Sequence, residues 1–546
     1  MHIISSTLFC YNFSLDRDET VTLGSVGFSA RDKVLLARGY SFQNLLENPM
    51  KKTHIGLFMS IAFAPFAIAG GHGSMPQASD SYFQAGKAAL EDRLNKPLIE
   101  KRAKNVILMV ADGNGVGTNY ATRVFMGQKR GGYGDEFVLP YETAMLPNLA
   151  LVKTYNHNAQ TPDSAGTSTS MNTGVKTKAG VIGVRKEHNR GDCTADEYAI
   201  PGISDLAKDM GKSVGVVSTA RITHATPATV YAHSGDRNWE DNSSIPEGCD
   251  QKDIALQLIE SHVDVAMGGG RRHFIPTDVT DPEGKTGKRT DGRNLVDEFI
   301  ASGGQYAYDT DTFSNIDVSA GSRILGLFES SHMQYEHDRT NEPSLADMSI
   351  AAIQALSRNE QGYYLSIEAG RVDHANHAGN LHRVVTDGEA FANAVSAVLN
   401  AVDLNETLVI VTSDHEHAIA FNGYCGRGSP ITGLCYGVNP NGVQHTDEAQ
   451  TGSDGKAYTV VNYLQGPGSV LIEQPDGTYV GGRPDVTNEE AMDPDYLQQA
   501  LIPKSSETHS GEDVAVYAGG PYAHLFDGVI EQNMIFHVMH YAMTAK

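Results

Sequence analysis

The sequence predicts an α/β fold: a three-layer sandwich with a mostly parallel central sheet and a site at the carboxyl ends of its strands. Three observations carry that prediction. Short, nearly continuous apolar runs recur along the chain, as strands covered on both faces require. Amphipathic segments of helical period separate them. Ionisable residues cluster just after the apolar runs, the position at which open α/β sheets bind ligands.

The predicted buried strands are Asn105–Val110, Ser213–Ser218, Val263–Met267, Tyr363–Ile367, Thr407–Val411 and Val514–Tyr517. The strongest helical segment is Leu381–Val402, with apolar residues at 381, 384, 385, 391, 395, 398, 399 and 402. A second is Val529–Tyr541. Strand–helix alternation places helices on both faces of a parallel sheet. Residues from Asn422 to about Ser505 break the pattern, being rich in Gly, Pro, Asn and Asp with only short possible strands such as Tyr458–Leu464. Because the alternation resumes afterwards, 422–505 reads as an insertion, either a long surface loop or an interface or lid element.

The chain has 546 residues, 40% hydrophobic and 20% charged, with a formal charge of −24. Such a surface argues against nucleic-acid binding, which needs Lys and Arg against phosphates. It leaves a small phosphate ester open, since bound cations reverse the sign of a local field.

From Met50 the chain reads MKKTHIGLFMSIAFAPFAIAGG. Lys51 and Lys52 precede the apolar stretch Ile55–Phe66, and Ala67-Ile68-Ala69 is a small-x-small cleavage signal. Residues 50–69 therefore read as a secretory signal peptide, too short in its apolar run to span a membrane. A signal peptide begins a protein, so Met50 is expected to be the true start and residues 1–49 an upstream mistranslation. The mature chain, 70–546, is expected to be periplasmic or secreted, with no membrane span. It retains Cys193, Cys249, Cys425 and Cys435. Four cysteines allow three pairings; the favoured one joins 425–435 as a short local loop and 193–249 as the longer.

Three strand ends deliver ionisable residues. NVILMV leads into Ala111-Asp112-Gly113; YYLSI leads into Glu368, Asp373, His374 and His377; TLVIVT leads into Ser413-Asp414-His415-Glu416-His417. Carboxylates crowded on neighbouring strand ends repel one another unless divalent cations sit among them. Asp and His without Cys suit catalytic zinc, or magnesium where only oxygens are offered. If Asp373–His377 is helical, the two residues lie one turn apart on one face and can hold one ion. In Thr161-Pro162-Asp163-Ser164 a helix is expected to start near Ser164, where free backbone N–H groups and the macrodipole favour an anion. No G-x-S-x-G elbow is present, so activation of Ser164 would be metallic rather than by a histidine base.

With these residues assembled, the chain resembles the alkaline phosphatases of bacteria from about Asn105 to Tyr541. The segments MVADGNG, TPDSAGTSTSMNTG, THATPATVYAHSGDR, MGGGRR, IEAGRVDHANHAGN, VTSDHEH and ETHSGEDV occur in that family's order. The resemblance implies one catalytic domain over 70–546 that hydrolyses phosphate monoesters through a phosphoserine on Ser164. It implies two zinc ions and one magnesium ion per chain, and a homodimer. Asp373, His377 and His509 match the ligands of the first zinc; Asp112, Asp414 and His415 match those of the second. Asp112, Thr226 and Glu368 match the magnesium site. Arg237 matches the arginine that grips two phosphate oxygens, and His417 a histidine that orients a zinc ligand. The chain departs from some bacterial members at His224, where they have Asp, and at His374, where they have Lys; His224 thereby becomes a possible ligand at the third site. A phosphodiesterase or sulfatase on the same scaffold, or a non-catalytic periplasmic metal- or phosphate-binding protein, is the alternative. Ser164 lacks the Cys/Ser-x-Pro-x-Arg context of a sulfatase, and a binding protein needs no serine beside paired cations.

Overall fold

The computed structural model describes residues 76–546 apart from 97. The expectations for 1–49 and 50–69 lie outside the described residues. The core is a ten-stranded sheet that includes β1 (Asn105–Ala111), β2 (Asn148–Lys153), β3 (Ser213–Arg221), β4 (Val265–Gly269), β5 (Gln305–Ala307), β6 (Ile324–Leu327), β7 (Tyr363–Ala369) and β8 (Thr407–Ser413). Its last two strands are Val514–Gly519 and Gly528–Glu531. The order runs from Gly528–Glu531 through β2, Val514–Gly519, β8, β1, β7, β3, β4 and β6 to β5. Every neighbouring pair is parallel except that Val514–Gly519 runs antiparallel to both β8 and β2. The sheet is thus mostly parallel, as the apolar runs predict.

Alternate residues of β1 feed different cores. Ile107 and Met109 face one apolar cluster, which includes Val384, Phe391, Val395 and Val398 of the helix Leu381–Ala401. Val106, Leu108 and Val110 face the other, with Ile535, Val538 and Met539 of the helix Met534–Thr544. Two helical layers covering one sheet make the three-layer sandwich.

The predicted helix at 529–541 is corrected in its first part. Gly528–Glu531 pairs with β2, and the helix begins only at Met534. Val529 is exposed, so apolar spacing alone could not separate edge strand from helix. β2 escaped the reading for strands buried on both faces because it alternates buried and exposed residues.

The inserted stretch contributes Val461–Gly466 and Ala500–Pro503 to a three-stranded sheet completed by Ile419–Phe421, just before it. Two disulfides close, Cys193–Cys249 and Cys425–Cys435, the favoured pairing. Among the described residues no helix is long and apolar enough to cross a membrane.

Candidate active site

Strand register assembles the site. Parallel pairing sets Ala111 opposite both Ala369 of β7 and Ser413 of β8, and Glu368 opposite Val110 and Ser218. Asp112 and Asp414 therefore leave their strands at one level, with Glu368 two residues below. The helix Arg371–His377 starts immediately after β7 and puts Asp373 and His377 one turn apart. The helix Ser164–Thr173 begins at the serine itself, capped by Asp163, whose carboxylate accepts the Gly166 N–H.

Asp373, His377 and His509 converge. Asp373 Oδ1 lies 3.4 Å from His377 Nε2 and 3.2 Å from His509 Nε2, and the two imidazole nitrogens are 3.1 Å apart. Four-coordinate zinc with bonds of 2.0–2.1 Å sets its donor atoms about 3.3 Å apart, so the set has the spacing of three corners of such a tetrahedron. The second set matches as well. His415 Nε2 is 3.3 Å from Asp112 Oδ1 and 3.3 Å from Asp414 Oδ2. Ser164 Oγ supplies a fourth corner, 3.3 Å from His415 Nε2 and 3.4 Å from Asp112 Oδ1. The rings of His415 and His509 stack with centroids 3.6 Å apart, joining the two sets.

The third set contains Asp112, His224 and Glu368 within ligand reach of one another. Thr226 Oγ1 and Glu368 Oε1 are buried there without a hydrogen-bond partner. Buried polar groups are normally paired, and two orphaned oxygens beside a carboxylate fit an oxygen-seeking cation.

Electrostatics favours the same conclusion. Burial first, then the carboxylates of Asp414, Asp373 and Glu368, pushes the Asp112 carboxyl well above its ordinary range. Burial raises Glu368 to about 7 and also lifts Asp414. Holding these groups ionised in one pocket requires positive charge among them. Asp373 goes the other way: burial pushes it up, but the imidazoles of His377, His417 and His509 hold it well below the usual carboxylate range.

His417 also lies within ligand reach of Asp373, His415 and His509. Both its ring nitrogens are taken, however. Nε2 hydrogen-bonds Asp373 Oδ1 at 2.8 Å, and Nδ1 bonds the Glu507 carboxylate. Despite burial, these two carboxylates raise it to about 10. A ring between two acceptors has no free lone pair for a cation, so His417 orients Asp373.

Arg237 Nη1 donates to Asp163 Oδ2 at 3.0 Å and its Nη2 lies 2.9 Å from His224 Nε2. His374 sits 5.5 Å from His224, ring to ring, and 4.0 Å from His332; burial lowers it to about 3. Three contributors were not singled out from sequence. Asp163 stands in the quoted Thr161-Pro162-Asp163-Ser164 segment, next to the serine that drew the reading. Glu507 stands in the quoted ETHSGEDV segment, but nothing local marks its partner His417. His332 carries no motif signal at all.

Fold and site together define an α/β protein that groups residues able to hold cations around a serine at a helix N-terminus. The alkaline phosphatase family model matches residues 103–545. The alkaline phosphatase of Gadus morhua is 40% identical over 475 residues, 84% of this chain and 94% of its own. The tissue-nonspecific alkaline phosphatase of Homo sapiens is 39% identical over 458 residues, covering 81% of this chain and 83% of its own. The chain belongs to the alkaline phosphatase family and is a phosphomonoester hydrolase. Solved structures share the fold. The alkaline phosphatase of Thermus thermophilus has a TM-score of 0.59 at 22% identity, with 83% of this chain and 94% of that one covered. That of the Antarctic bacterium TAB5 has a TM-score of 0.55 at 23% identity, covering 81% and 98%.

Proposed function

We propose that phosphate monoesters are hydrolysed in two in-line displacements at Ser164. The single observation that carries this reading is the placement of Ser164 Oγ at a corner of the Asp112–Asp414–His415 set, with the Asp373–His377–His509 set stacked beside it. The residues present fit two zinc ions, held by these two sets, and a magnesium ion held by Asp112, Thr226 and Glu368. A TAB5 variant with one histidine replaced by aspartate has magnesium bound in its M3 site; this chain keeps His224 beside Asp112 and Glu368, and the choice of magnesium rests on the oxygens of Asp112, Thr226 and Glu368. When bound, the ions supply Lewis acidity, neutralising charge on the entering and leaving oxygens and favouring the deprotonated nucleophile.

Ser164 Oγ attacks phosphorus and the ester P–O bond breaks, releasing the alcohol on the side of His509. The helix N-terminus behind Ser164 offers N–H groups and the positive end of its dipole to the phosphoryl charge. Arg237 turns its planar fork to two non-bridging oxygens, a geometry Lys cannot offer. Asp163 and His224 hold that fork from behind. Water then enters from the side the alcohol left, breaks the Ser164–phosphorus bond and releases inorganic phosphate. Asp414 is fixed for its role by Thr167 Oγ1 and the Gly113 N–H, both at 3.1 Å.

The test is trapping at acidic pH with labelled phosphate, with and without chelator. Label on the Ser164 peptide that depends on metal supports the mechanism; label elsewhere, or turnover unaffected by metal removal, removes it.

We further propose a periplasmic or secreted homodimer. Disulfides persist in oxidising compartments, and this chain has two. Leu464, Ile472, Val480, Leu501 and Ile502 of the inserted strands expose apolar side chains, a surface suited to contact with a second copy.

A further inference from the structure

Resting on that reading of the Asp373–His377–His509 set, we infer that the inserted stretch does more than cover or pair: Tyr463, within it, and Glu507, at its exit, are positioning residues that set the affinity of this set for its cation.

Glu507 bonds His377 directly and reaches Asp373 through His417. It is fully buried. Its carboxylate grips His417 Nδ1 with one oxygen, and with the other accepts the Ala418 N–H at 2.8 Å. His417 in turn hydrogen-bonds Asp373 Oδ1. The backbone of Glu507 works on a second member: its carbonyl oxygen accepts from His377 Nδ1 at 2.6 Å, and its N–H donates to the His377 carbonyl at 2.9 Å. That bond fixes His377 as the tautomer whose Nε2 lone pair faces Asp373 and His509. The third member, His509, follows two residues later in the chain and is tied by its own Nδ1 to the Pro162 carbonyl at 2.8 Å.

Tyr463 acts on the helix that carries Asp373 and His377. Its hydroxyl donates to Asn376 Oδ1 at 2.6 Å, and both residues are buried. Asn376 spends its amide nitrogen on the Gly113 and Val372 carbonyls, so the Tyr463 contact completes its bonding. The strand holding Tyr463 is bound to the Glu507 segment as well. Leu464 N–H donates to the Ala418 carbonyl, and Gln465 Nε2 bonds Thr508 Oγ1. Gly466 approaches Glu507 so closely that a Cβ there would lie 3.2 Å from that of Glu507. The insertion and the set are therefore one bonded unit, and losing a partner that orients a metal ligand typically costs about 10–100-fold in metal affinity or activity.

The test uses the full chain and zinc alone as probe. Zinc stoichiometry and dissociation constants are measured by chelator competition for wild type, Glu507→Gln and Tyr463→Phe, with thermal unfolding in parallel. Glu507→Gln is expected to weaken one zinc class by roughly 10–100-fold while the other keeps its affinity. Tyr463→Phe removes a single oxygen and is expected to weaken the same class by a smaller factor, which decides the matter if Glu507→Gln does not fold. Wild-type zinc affinity at both classes in a folded variant, even one of lowered melting temperature, overturns the inference. Absence of zinc binding by the wild type would instead overturn the two-zinc reading on which it rests.

Discussion

Replacing Asp163 by Asn separates geometry from charge behind Arg237. The two side chains have the same shape, but all four contacts of Asp163 are donors. Oδ1 accepts from the Gly166 N–H at 3.1 Å and from Asn156 Nδ2 at 2.9 Å. Oδ2 accepts from the Gly180 N–H at 2.9 Å and from Arg237 Nη1 at 3.0 Å. An amide offers one acceptor oxygen, so two of these donors would face an NH2 group. A hydrogen bond to a charged group contributes about 1.5–3 kcal/mol, and each donor left unsatisfied costs about 1–3 kcal/mol. The side chains of the pair are 20% and 17% exposed, which allows water to recover part of the loss. We therefore expect Asp163→Asn to destabilise by about 3 kcal/mol. Arg237, freed from its anchor, should bind phosphate less well, raising KM more than it lowers kcat and reducing kcat/KM by roughly ten-fold, or about 1.4 kcal/mol. Denaturant unfolding and inhibition by inorganic phosphate measure the two effects, and a cycle with Arg237→Ala should show a coupling of about 0.5–3 kcal/mol. A change in stability under about 0.5 kcal/mol together with no coupling in the cycle would refute the assignment of Asp163 as the anchor.

Three further outcomes are expected. Ser164→Ala should keep its zinc and lose on the order of 10² to 10⁴-fold in kcat, whereas Asp414→Ala should lose zinc and activity together; metal analysis beside a steady-state assay checks both. Glu240, held to about 2 by His273, Arg221 and Thr223 against the upward push of burial, titrates below its unfolded value near 4.3. Its contribution, about 3 kcal/mol, is thus fully present above that value and lost as pH falls from about 4 to 2; Glu240→Gln should flatten that limb of the stability–pH curve. Removing Cys193–Cys249, with 56 residues of separation, should cost about 4 kcal/mol by loop entropy, against about 3 kcal/mol for Cys425–Cys435, with 10; unfolding of the two Cys-to-Ser pairs ranks them.

What was legible in the sequence is what local chemistry encodes. Six strands and the helix at 381 follow from apolar period, and the start of a helix at Ser164 from the run of small residues there. The residues after β1, β7 and β8 announced themselves because a parallel sheet puts all its strand exits on one edge. The contacts that hold those residues in place are not local. Glu507 meets His417 across 90 positions and Tyr463 meets Asn376 across 87, and no periodicity encodes a partner at that distance. Val529 shows the complementary failure. It is apolar and exposed on an edge strand, so period and burial disagree and the residue passes for helix.

The reversed strand Val514–Gly519 has a consequence for how this site can change. Its register, Val516 with Thr412, brings Val514 level with Asp414. Because it runs against β8, the sheet edge that receives departing chain from the parallel strands here receives arriving chain, and His509 stands on that approach. A ligand on an approach is hostage to everything upstream of it. Outside the strand Val461–Gly466, which ties Tyr463 to Asn376, the inserted sequence before residue 500 is free to lengthen, shorten or drift only so long as it hands the chain over at Ser506 in the same place and direction. Divergence among relatives should accordingly concentrate in the insertion away from that strand and stop abruptly at its last few residues.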